Sequence, residues 1–156
     1  MLWGLVATGA FLWLRHRLER YRWWRFGMFG LLGFWAAVVL LQTVLRGWGE
    51  ERMVSLIPFQ CYITVFSGGE KELIRSALMN VLLFYPGGLL IRSLWPRPRV
   101  LPMVLGFLFA SVTIELCQYL LGIGTTETDD VIHNTLGAAL GILAARQYEK
   151  NIKKQA

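Results

Sequence analysis

Apolar residues gather into five long runs, at positions 1–14, 26–45, 73–95, 100–122 and 131–145, with a shorter greasy stretch at 53–66. A hydrocarbon layer about 30 Å thick takes roughly 20 apolar residues per helical crossing, and fewer where the bilayer thins. Each long run therefore predicts one membrane-spanning helix. The 53–66 stretch holds Pro58 and runs into Ser67-Gly68-Gly69, which makes it too short and too broken for a crossing. It predicts an interfacial or re-entrant segment. The expected fold class is all-α, a polytopic transmembrane helical bundle of about five spans with that segment between spans two and three. This divides the chain into two N-terminal spans in 1–50, an extracytoplasmic interfacial segment in 51–72, a three-span core in 73–146 and a basic cytoplasmic tail in 147–156. Pro96, Pro98 and Pro102 fit a tight turn between the third and fourth spans, because proline resists helix continuation.

Composition agrees with the pattern. Of 156 residues 55% are hydrophobic, with seven Trp and nine Phe, which is greasier than one soluble core of this size requires. The net charge of +6 does not point to nucleic acid, because the basic residues flank apolar runs instead of forming a polar segment. Cys61 and Cys117 lie in different apolar segments without metal-ligand spacing, so small packing residues are expected, and no metal or cofactor. The first run lacks a basic leader and a small-residue cleavage site, so it predicts a retained span and not a signal peptide.

Lys and Arg are retained on the cytoplasmic side, which sets the orientation. Arg15, Arg17, Arg20, Arg22 and Arg25 mark the first connection as inside. In the second, Arg46, Arg52 and Lys71 are outnumbered by Glu50, Glu51, Glu70 and Glu72, which marks it as outside. Arg92, Arg97 and Arg99 bring the chain back inside, Glu127, Asp129 and Asp130 mark the next turn as outside, and the tail carries Arg146, Lys150, Lys153 and Lys154. The prediction is a multi-pass protein of a bacterial cytoplasmic membrane, N-terminus outside and C-terminus cytoplasmic. If the first run only lies on the surface, four spans remain and the later ones keep their direction.

Polar side chains at bilayer depth are costly, so those present are functional candidates. Offsets of four and seven residues put Ser76, Asn80 and Gly87 on one stripe of the third span, Ser111, Glu115 and Gln118 on one of the fourth, and Asp130, Asn134, Gly137 and Gly141 on one of the fifth. Asn80 and Glu115 fall roughly 10 Å below the outer boundary, with Asn134 slightly shallower. The amides also suit plain interhelical hydrogen bonds, and Gly137 with Gly141 suits close helix packing, within the chain or in a homo-oligomer. His133 sits one position off the stripe, which favours packing, and Asp129 suits an N-cap of the fifth helix. Glu115, with apolar neighbours on both sides, needs either a proton or a cation, and Arg75 is the nearest candidate.

These residues form an ordered set: Leu56-Ile57-Pro58-Phe59, Asn80, Phe84-Tyr85-Pro86-Gly87, Glu115-x-x-Gln118, then Asp129-Asp130-Val131-x-x-Asn134-Thr135-x-Gly137. The set resembles the VanZ-like family of bacterial membrane proteins, over about residues 54–146. The resemblance implies an integral membrane protein of the cell envelope, in a family named for a member that gives low-level resistance to the glycopeptide teicoplanin. Many members carry an Arg a few residues before the Asp pair; here Gly122 to Glu127 contains no basic residue, so an anion-binding role for that position does not carry over. The expected function is non-enzymatic, with Arg75, Asn80, Glu115, Gln118, Asp130 and Asn134 around an outer-leaflet pocket for a lipid-linked or amphipathic ligand. Expected partners are membrane lipids and either a lipid-linked cell-wall precursor or a glycopeptide. The alternatives are an intramembrane enzyme acting on an envelope lipid, with Glu115 and Asp130 as acid and base and Gln118, Asn134 or Asn80 orienting, and a small transporter with Glu115 as a proton relay.

Overall fold

A computed structural model describes residues 2–18, 21–46, 53–68, 72–96 and 99–155. In chain order the elements are α1 (Leu2–Leu18), α2 (Arg22–Arg46), β1 (Met53–Ser55), α3 (Gln60–Phe66), α4 (Glu72–Leu94), α5 (Val100–Leu121), β2 (Thr125–Glu127) and α6 (Thr128–Gln155). Among the described residues three segments are long and apolar enough to cross a membrane, Trp23–Thr43, Glu72–Leu94 and Val100–Leu121. The expected count of about five is thus met in part, by three spans on length and composition among the described residues. α1 is 17 residues long, and α6 opens with Asp129 and Asp130 and carries Lys153 and Lys154 in its last turn. The charges expected at Arg20, Glu50, Glu51, Arg52, Glu70, Lys71 and Arg97 lie outside the described residues.

Helix α4 is the axis of the bundle and packs along α6 over most of its length, with α5 beside α6 and α2 across α4. Glycine makes the α4–α6 approach possible. A Cβ on Gly137 or Gly141 would overlap the carbonyl oxygen of Val81 or Tyr85, and one on Gly88 would overlap that of Ala138. Gly137 and Gly141 therefore serve packing within the chain; α4 occupies the face that a second copy would need.

Around that seam the core gathers Val39, Phe84, Phe107, Ala138 and Ile142. Trp35 sits edge-on to both Phe84 and Phe107, at 5.8 and 5.9 Å between ring centroids. Its indole N–H donates to the Leu83 carbonyl at 2.7 Å, and Gly87 leaves room for the ring. A buried indole N–H left without an acceptor would be costly, so this bond fixes how α2 lies on α4.

Helix α1 runs alongside α4 and α6. Thr8 shares a hydrogen bond with the Tyr85 hydroxyl at 3.1 Å, Leu12 packs on Leu89 and Ala145, and Arg15 reaches Glu149 at 3.2 Å. The outer faces of the helices carry large apolar side chains such as Phe26 and Phe109, about three-quarters exposed, as a lipid-facing surface requires.

The bundle is helical as expected, and two strands of three residues are added to it. β1 pairs in parallel with β2 in the register Met53 with Thr125, Val54 with Thr126 and Ser55 with Glu127. Three residues are too few for alternation to show in the sequence, and the partner strand lies some seventy residues away. The 53–66 stretch is thus a strand followed by the short helix α3, tied down at the end of the bundle where α5 stops and α6 begins.

Candidate functional site

At that end a cleft of about 480 Å³ opens between α2, α4, α5, β2 and α6. Asn80, Gln118 and Asp130 line it together, from three different helices. Gln118 and Asp130 sit within a turn of a helix end, where α5 stops and α6 starts, and Asn80 about two turns into α4. The Asn80 amide donates to the Asp130 carboxylate at 2.6 Å, a short charge-assisted bond that holds α4 to the first turn of α6. Gln118 donates to the Thr43 carbonyl at 3.2 Å and so brings the end of α2 into the wall. Its own amide oxygen is buried and has no protein partner among the described residues. Met79, Leu82 and Leu83 form the greasy side of the cleft.

The other expected site residues stand elsewhere. Glu115 is buried and accepts the backbone N–H of Glu127 at 2.9 Å, which pins β2 to α5. It is not among the residues that line the cleft, as Asp130 is. Nor does Arg75 neutralise Glu115: it is about 70% exposed and pairs with Glu72 at 3.3 Å, in a surface depression that shares Ser76 and Met79 with the cleft. A long cationic side chain on the first turns of α4 reaches water more cheaply than it reaches a buried carboxylate. Asn134 is buried below the cleft and donates to the Ser111 hydroxyl at 2.9 Å, bracing α6 against α5.

Sequence reasoning missed a latch beside the cleft. Asp129 does not cap its own helix; its buried carboxylate accepts the backbone N–H groups of Phe59 and of Cys61, the latter at 2.9 Å. Phe59 adopts a left-handed backbone conformation, φ 62°, uncommon for a residue with a side chain, and the carboxylate holds it there. One helical turn on, His133 is buried and its Nε2 shares a hydrogen bond with the Tyr62 hydroxyl at 3.0 Å. Burial, joined by the neighbouring Asp129 carboxylate, pushes the Cys61 thiol up to about 12. The signal was present in the sequence as Leu56-Ile57-Pro58-Phe59 and Asp129, but their pairing joins segments seventy residues apart. Gln42, Thr43, Thr125 and Glu127, also in the cleft wall, gave no periodic signal, because they sit at a helix end or in a short strand.

The VanZ/LLP1 family model matches residues 26–149. The chain is similar to Protein VanZ of Enterococcus faecium, 35% identical over 93 residues, which is 60% of this chain and 52% of that protein. The match thus spans about half the length of that curated relative. No solved structure matches. The family match takes in α2 as well as α3 to α6, consistent with the part Trp35 and Thr43 play in the core and the cleft.

Proposed function

This chain belongs to the VanZ/LLP1 family and is a membrane protein, and from that premise we propose that it is a non-enzymatic cell-envelope factor that holds an amphipathic ligand in the α4–α5–α6 cleft. The observation that carries the reading is one cavity with two chemistries: Asn80, Gln118 and Asp130 on one side, Met79, Leu82 and Leu83 on the other. A headgroup bearing hydroxyls or amides satisfies the first wall. An acyl chain or other apolar tail follows the second into the bilayer. The ligand class is a lipid-linked envelope precursor or a glycopeptide of the teicoplanin type, and its retention alters how the glycopeptide reaches its target.

In this reading the bundle crosses the membrane about five times, with the cleft outside and the C-terminus cytoplasmic. Asp130 and Glu149 are 19 residues apart on α6, about 28 Å of helix, close to the roughly 30 Å of a hydrocarbon core. α6 crosses although it is more polar than its neighbours, because Asp129 and His133 turn to the α3 segment, Asp130, Gly137 and Gly141 to α4, and Asn134 to α5, and not to lipid. Its acidic start and basic end then fall at opposite interfaces, and α1 lies alongside it with Arg15 at the basic end.

The test is teicoplanin susceptibility of a sensitive host that expresses the chain, with membrane levels checked by immunoblot. Asn80→Ala and Asp130→Asn are expected to bring the inhibitory concentration back to that of the empty vector. Full protection by both variants at normal abundance refutes the cleft as the working site.

A further inference from the structure

The opposite end of the bundle holds a second cavity, of about 290 Å³, between the C-terminal ends of α1 and α6 and the turn after α4. Arg15, His16, Tyr148, Ile152 and Lys153 line it, together with Pro96. Glu149 lines it too, and with Arg15 belongs to a buried charge cluster whose third member, Arg92, lies behind the lining. Arg92 donates to one oxygen of Glu149 through two nitrogens, at 3.2 and 2.7 Å, while Arg15 takes the other oxygen at 3.2 Å. The three side chains are only 9%, 15% and 8% exposed. The carboxylate in the wall is therefore already engaged by two guanidinia. Lys153, exposed on the rim, makes no ion pair among the described residues.

We propose that this cavity is a binding site for a phosphate group, in the first place the phosphodiester of an anionic phospholipid. Three features converge. The lining carries two cations, Arg15 and Lys153, against one carboxylate, Glu149, that two guanidinia already hold, and cations at the mouth of a cavity with low-dielectric walls concentrate anions. Tyr148, Ile152 and Pro96 give the same cavity an apolar side, which suits a glycerol backbone and the first methylenes of an acyl chain. The location is right: about 28 Å along α6 from Asp130 lies the second interface, where basic pockets between helices meet anionic headgroups. Lipid there would also tie α1 to α6, because Arg15 and His16 come from one helix and Tyr148 and Lys153 from the other. Placing this end in the cytoplasmic leaflet rests on the orientation proposed above; the cavity and its chemistry do not.

The experiment is native mass spectrometry of the full chain in neutral detergent, titrated with phosphatidylglycerol, phosphatidylcholine or inorganic phosphate. One phosphatidylglycerol per chain is expected to be retained in preference to phosphatidylcholine. Lys153→Gln is expected to weaken it about fivefold, the effect of one basic residue beside an anionic lipid, and Lys153→Glu more than tenfold. Lys154→Gln, on the same turn but outside the cavity, is expected to leave it within about twofold. Inorganic phosphate that displaces the lipid at equal concentration supports the site with free phosphate as its occupant; failure to displace it supports the lipid. Equal losses in Lys153→Gln and Lys154→Gln, or no preference for the anionic lipid, overturn the proposal. Teicoplanin susceptibility of the Lys153 variants reads the other cleft, so failure of one reading is distinguishable from failure of the other.

Discussion

The glycine seam between α4 and α6 sets the position of the cleft, and an added methyl group measures how tightly. In Gly137→Ala the new Cβ lies 2.9 Å from the Val81 carbonyl carbon; in Gly141→Ala it lies 2.8 Å from the Leu89 nitrogen, and in both it overlaps a carbonyl oxygen. Carbon atoms do not approach backbone that closely, and backbone cannot swing aside as a side chain does, so the two helices must part. An extra methyl group in a packed interior costs about 1–3 kcal/mol, and a backbone obstacle puts these two near 3. Helix propensity returns about 1 kcal/mol for Gly to Ala, which leaves about 2 net for each substitution. The helices are stiff, so the separation forced by one methyl group accommodates part of the other. The double variant is therefore expected to cost about 3 kcal/mol, well short of the sum of about 4. Gly106→Ala on α5, where nothing lies within 4 Å of the added carbon, serves as the control and is expected to be neutral or stabilising by up to about 1 kcal/mol. The measurement is equilibrium unfolding in mixed micelles, followed by tryptophan fluorescence as dodecyl sulfate is raised. If Gly137→Ala and Gly141→Ala behaved like Gly106→Ala, the close α4–α6 contact would be refuted.

Two further outcomes follow from other parts of the molecule. Glu149→Gln leaves two nearly buried guanidinia facing an amide where a carboxylate stood; with Glu149 at 15% exposure the cost falls at the low end of the range for broken buried pairs, about 3 kcal/mol in the same unfolding assay. A loss under about 0.5 kcal/mol marks the pair as screened by water. Because the Cys61 thiol is pushed up to about 12, its thiolate is scarce at pH 7.4, and maleimide is expected to modify it at least a hundredfold more slowly than in unfolded protein. Raising the pH toward 10 speeds the reaction, and Asp129→Asn speeds it several-fold at constant pH; equal rates in folded and unfolded protein contradict the latch.

The sequence by itself determined the solvent and the candidates. Runs of apolar residues compel burial in lipid, and stripes at offsets of four and seven place Asn80, Gln118, Asp130 and Asn134 on helix faces, because those periods belong to every α-helix. It also held the ordered motif that marks the family. Tertiary structure decided which of those faces meet. Glu115 and Gln118 share a stripe, yet one binds the backbone of β2 and the other lines the cleft. Asp129 serves a helix seventy residues upstream and not its own, and two strands of three residues exist only because each is the other's partner. A periodicity fixes the face of a helix; the partner of that face depends on how far the neighbouring backbone can approach, and here the glycines of α4 and α6 permit it.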